Sequence, residues 1–159
     1  MTSLLPLFKW LGQTHAGILM RDSTWGFAIV EMAHLLALVG LGGTILIVDL
    51  RLLGFGRWRQ PVSRFANELT PLLLGSLATM IISGILLLAS GPLRYYYNPA
   101  FRLKMLLLFL AVGFYFTLHR NVVRSHSENT ISVWSKTAAI VSLSLWLGVG
   151  LAGRIIGLI

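Results

Sequence analysis

Four apolar runs dominate this chain and leave it few ways to fold. They fall at about residues 25–50, 70–90, 99–119 and 132–158, and at ~1.5 Å of rise per helical residue each can cross a hydrocarbon layer ~30 Å thick. The expected fold class is therefore all-α: an integral membrane four-helix antiparallel bundle, one membrane domain over residues 1–159, with an N-terminal interfacial helical segment over residues 1–24. Composition agrees, since 56% of the residues are hydrophobic and only 11% charged, against about 25% charged in soluble domains.

The charge that remains is one-sided, with 13 Lys and Arg against 5 Asp and Glu. These cations flank the apolar runs instead of clustering on a soluble face, so topology and lipid headgroups explain them and no nucleic-acid partner is expected. Arg51, Arg57, Arg59, Arg64, Arg120, Arg124 and Lys136 lie on the side of the loops joining helices 1 to 2 and 3 to 4. Lys9, Arg21, Arg94 and Arg102 lie on the other, with Lys104 and Arg154 partly inside the membrane. The bias predicts a multi-pass membrane protein with the two basic loops cytoplasmic and both termini extracytoplasmic. Cysteine is absent, which excludes disulfides, thiolate metal sites, iron-sulfur clusters and thioether-linked haem.

Punctuation along the chain is specific. Residues 4–20 mix apolar groups with Lys9, Gln13 and His15, too polar to span, without a signal-peptide pattern, and suited to the interface. Asp49 and Arg51 mark the far end of the first span. Pro61 opens an interfacial helix expected to bend at Pro71 into the second, which ends at Gly91-Pro92. Asn98 is a candidate cap with Pro99 in the first turn of the third helix, after the aromatic run Tyr95-Tyr96-Tyr97. Gly148, Gly150, Gly153 and Gly157 on the last helix, and Gly40, Gly42 and Gly43 on the first, permit close approach of a neighbouring helix or a flat cofactor.

Chemistry is expected where ionisable groups enter the apolar runs. Glu31 and His34, three residues apart, share a helix face. His34 lies about 13 Å along the helix from Trp25, Lys104 about 8 Å from Pro99, and Arg154 about 8 Å from the C-terminus. All three depths are measured from one side, so Glu31, His34, Lys104 and Arg154 can converge, with Arg94, Arg102, Arg21, the tyrosines and His15 above them. His119 lies about 30 Å along the third helix from Pro99. It is expected as an exposed helix end that cannot pair with His34 as a second ligand, and His126 as a solvated loop residue.

A bundle histidine, glycine-lined walls and cations at the water edge suit a b-type haem, with His34 as ligand, His15 as the least implausible second His ligand from the same side, and Lys or Arg on the propionates. Spacing alone leaves a structural alternative open: His34 bonded to a neighbouring helix, Glu31 paired with Lys104 or Arg154, and the cations snorkelling to the interface.

Taken together, Trp10-Leu11, Arg21-Asp-Ser23-x-Trp25-Gly-Phe27, Glu31-x-x-His34-Leu-Leu, Asp49-Leu-Arg51-Leu-Leu-Gly54 and Phe101-x-Leu-Lys104 resemble an uncharacterised family of four-helix bacterial inner-membrane proteins over nearly the whole chain. More distantly, the helix-1 histidine with the helix-3 Phe-x-x-Lys is similar to membrane protoporphyrinogen oxidase and copper-resistance D type proteins. That resemblance implies His34 as a haem ligand and Lys104 as an essential basic residue.

Three functions follow as expectations. One is a haem b-binding redox protein passing electrons between the quinone pool and an extracytoplasmic partner. Another is a non-catalytic anchor or assembly subunit, as a homo-oligomer or within a membrane complex. The third is copper handling through His15, His34 and Glu31. Hydrolase chemistry is disfavoured, because no nucleotide-binding loop, nucleophile elbow or zinc-peptidase motif occurs.

Overall fold

The computed structural model describes residues 4–55, 62–125 and 133–158. The Arg57-Trp58-Arg59 turn, the helix start at Pro61 and His126 lie outside the described residues. Within them the chain is helical throughout, with no strand. Two short helices, α1 (Leu5–Gln13) and α2 (His15–Asp22), precede the long α3 (Thr24–Leu52) and α4 (Val62–Ser90). The short α5 (Pro92–Tyr97) leads into α6 (Pro99–Phe114), a π-helical turn (Tyr115–His119), α7 (Arg120–Ser125) and α8 (Val133–Ile156).

Side-chain oxygens start these helices where the chain has a short polar residue to spare. Thr14 Oγ1 accepts from the Gly17 amide at 3.3 Å to open α2, and Ser23 Oγ accepts from Gly26 at 3.0 Å to open α3. Asn98 Oδ1 accepts from Ala100 at 2.9 Å and Phe101 at 3.3 Å, with Pro99 in the first turn of α6 as the sequence predicts. The end of α3 is equally specific. Gly54 adopts a φ of 92°, while the Phe55 amide donates to Leu50 O and the Gly54 amide to Arg51 O. This is the paired Schellman closure, and glycine enters the required left-handed region without a Cβ penalty.

Four helices, Trp25–Leu52, Ser63–Ser90, Pro99–Thr117 and Val133–Ile156, are long and apolar enough to cross a membrane. Their outward faces carry large apolar groups: Ile29 is 63% exposed, Leu36 70% and Phe109 80%. Such continuous apolar surface is stable against lipid and not against water. Helix α4 begins at Val62, well before residue 70, and carries Pro71 inside it; the two segments expected either side of Pro71 are one helix.

The helices associate as two pairs, α3 with α4 and α6 with α8, joined through α3 against α8. Leu41, Ile45, Leu73, Leu77 and Met80 form the central core, with Leu108, Val112, Tyr115 and Trp146 packed against it. A second cluster at one end joins Val48 and Leu52 to Val123 and Ala139. Small residues set the spacing at two crossings. A Cβ at Gly40 would come 2.6 Å from Ser76 Oγ, and one at Gly148 would come 3.1 Å from Leu107 Cδ1. Gly42, Gly43 and Gly150 have open space instead, so only part of each glycine row serves packing.

Candidate functional site

Polar groups enter the bundle at two levels. The first is built on His34, half-buried between α3 and α4. Its Nδ1 stands 2.9 Å from Ser83 Oγ, and that hydroxyl donates to the Thr79 carbonyl at 2.6 Å. A hydroxyl has one proton. With that proton committed to Thr79, the Nδ1–H of His34 donates to Ser83, and the lone pair rests on Nε2. The ring fits because Gly84 faces it: a Cβ there would lie 3.4 Å from Cε1.

Lys104 reaches the same level from α6. Its stem crosses Gly153 of α8, where a Cβ would lie 3.5 Å from Nζ, and the ammonium acts electrostatically on His34. Glu31 does not complete an ion pair with Lys104 or Arg154 among the described residues; it is exposed and faces Tyr95. Burial pushes the Tyr95 phenol above its usual pKa; Arg94 opposes the rise and Glu31 adds to it.

At the rim, Arg102 donates from Nε and Nη2 to the Tyr96 carbonyl at 3.2 and 3.1 Å and stacks over the Tyr96 ring. Arg94 and Arg154 are exposed, as is His15 at the start of α2. Of the groups expected to converge, Lys104 therefore comes within electrostatic reach of His34, while Glu31 and Arg154 are exposed at the periphery. Among the described residues no three of His, Asp and Glu gather as metal ligands, so His15, His34 and Glu31 do not form the set expected for copper.

The second level lies at the opposite end of the spans and corrects the expectation for His119. Instead of an exposed helix end, His119 is 1% exposed and its Nε2 stands 2.6 Å from Oδ1 of Asp49, itself 0% exposed. The Tyr115 ring stacks on the imidazole at 5.4 Å between centroids. Ser142 of α8 stands beside the carboxylate, and no group among the described residues meets Oδ2 at hydrogen-bonding geometry. Two residues on from Asp49, the buried Arg51 guanidinium lies 4.5 Å over the Phe65 ring of α4.

The sequence carried a signal for this pair that depth alone hid. Leu41, Ile45 and Asp49 recur every fourth residue on the buried stripe of α3, as do Ala111, Tyr115 and His119 on the third span. Depth alone places the span ends at the water, but α7 and α8 pack over this one.

Four lipid-facing helices with two internal polar centres define a small multi-pass membrane protein. The chain belongs to a family of unknown function (DUF6644), which matches residues 2–159. This agrees with the resemblance its motifs carry to an uncharacterised family. Comparison with curated proteins and with solved structures gave no match.

Proposed function

We propose that the protein is a haem b-binding redox protein of a bacterial inner membrane, exchanging electrons between the quinone pool and an extracytoplasmic partner, with His34 as the axial ligand. The observation that carries this reading is His34 held by Ser83 inside the bundle with Lys104 of another helix within electrostatic reach, an arrangement that supports Nε2 as the free nitrogen. His34 and Lys104 are also the residues that the distant resemblance to membrane protoporphyrinogen oxidase singles out.

The donor set fits the group. Ser83 takes the Nδ1 proton and fixes the tautomer, as the outer partner of a metal-bound imidazole does. Gly84 leaves the ring room to sit flat against α4. Lys104, with Arg94 and Arg102 at the rim, supplies positive charge for two propionates. Bound haem would supply one-electron chemistry; the protein's part is to orient the imidazole, neutralise the carboxylates and keep bulk water out of the bundle.

An absorption spectrum of detergent-purified protein, made with adequate haem, tests this. A Soret band and a pyridine-haemochrome signal are expected, lost in His34→Ala and kept in His119→Ala. Ser83→Ala should weaken haem retention by about 10–100-fold. A colourless wild-type protein, or full haem content in His34→Ala, would overturn the reading.

A further inference from the structure

The Asp49 and His119 pair is unused by the haem reading, lies some 15 residues further along α3 than His34, or about 22 Å, and has a feature that a purely structural pair does not need. A cavity of about 20 Å³ open to a water's centre adjoins it; His119, Tyr115, Thr44, Asn67, Thr70 and Arg120 are the polar part of a lining that is otherwise apolar. That is room for about one water, and a water needs two to four polar partners. Thr44, Asn67, Thr70 and the imidazole supply them. Pro71 lacks the amide that would serve the Asn67 carbonyl in a regular helix.

The charged and titratable surroundings are few. Among the described residues, Arg51 is on the same helix, Tyr115 and Arg120 come from the π-helical turn and α7, and α8 presents the buried hydroxyls of Ser135 and Ser142. On α4 the Arg64 and Glu68 pair is exposed, as is Lys136 on α8. A buried carboxylate and imidazole at 2.6 Å thus adjoin a water-sized cavity on the imidazole's side, at a π-helical turn, a feature common at functional sites.

We infer that Asp49 and His119 form a proton-loading site that takes up and releases one proton through a water held in the adjoining cavity. Loading breaks an O–H bond of a hydronium in the cavity and forms an N–H bond at the imidazole nitrogen not held by Asp49, leaving water. The Nε2–H bond then breaks as an O–H bond forms at Asp49 Oδ1. The pair passes from carboxylate and neutral imidazole to carboxylic acid and neutral imidazole, gaining one proton. Release is the reverse.

The chain has two aspartates, Asp22 and Asp49, and Asp22 is exposed. Infrared spectroscopy of protein carrying carbon-13 aspartate, with Asp22→Asn, in lipid vesicles therefore reads Asp49 directly. A protonated-carboxyl stretch, shifted by the isotope, should grow as the pH is lowered over the range in which the protein stays folded. His119→Gln should change the proton affinity at least tenfold. Thr70→Leu, which fills the cavity, should slow deuterium uptake at the carboxyl tenfold or more while keeping the band. A band that is absent or constant across this range in the labelled protein overturns the proposal, because the pair is then a fixed latch. An unchanged midpoint in His119→Gln, or unchanged exchange in Thr70→Leu, overturns the route through imidazole and cavity.

Discussion

Asp49 is the residue whose environment tolerates least change. Removing the imidazole while keeping the carboxylate strips a buried charge of its partner, a loss worth about 3–5 kcal/mol in comparable buried pairs. His119→Ala should therefore lower the melting temperature in detergent sharply, and the double variant Asp49→Asn with His119→Ala should recover part of the loss. A melting temperature unchanged in the single variant would mean that water already enters the pair. At this scale the sequence was partly legible. The Asp49-Leu-Arg51-Leu-Leu-Gly54 segment stood out as a motif, and the structure explains each polar member: Asp49 pairs with His119, Arg51 stacks on Phe65, and Gly54 closes α3 at positive φ. The pairing itself was not legible, because His119 sits 70 residues downstream and nothing local marks its partner. Glu31 misled in the opposite direction: its spacing with His34 is right for a shared face, but the helix turns it outward beside Tyr95.

Among the elements, caps were the most readable features and close crossings the least. Asn98 and Pro99 announce α6 by residue type alone, since one supplies the acceptor and the other a preset φ. A glycine row does not say which of its members faces a neighbour. Gly148 and Gly150 of α8 differ by two positions and by everything that matters for packing, the first facing Leu107 and the second open space. Gly148→Leu should push α6 and α8 apart at a cost of about 1–3 kcal/mol, whereas Gly150→Leu should leave thermal stability in detergent unchanged within about 0.5 kcal/mol. Equal effects would refute the facing assignment. The π-helical turn at Tyr115–His119 was not legible either, because its residues are as compatible with an ordinary helix and only tertiary contacts select the wider turn.

For the molecule as a whole, segment length and polarity were enough to read four spans, while the pairing of helices had to come from the structure. Phe55 and Tyr97 are both exposed, and one span, Ser63–Ser90, crosses between them. Since α4 is a full crossing, residues 55 and 97 stand at opposite ends of the bundle. The native chain has no cysteine, so Phe55→Cys and Tyr97→Cys each provide one thiol without background. A membrane-impermeant thiol reagent applied to intact cells should label Tyr97→Cys and spare Phe55→Cys, as the charge bias predicts. The reverse pattern would invert the orientation. The division into an α3 and α4 pair followed by an α6 and α8 pair also orders events during synthesis. The first pair can form while the second is still untranslated, but Asp49 and His119 bridge the two halves across 70 residues. At about 5–20 residues per second the aspartate waits on the order of ten seconds for its partner, so the nascent first hairpin must hold that carboxylate near the headgroups and draw it inward only when the ribosome has delivered the histidine.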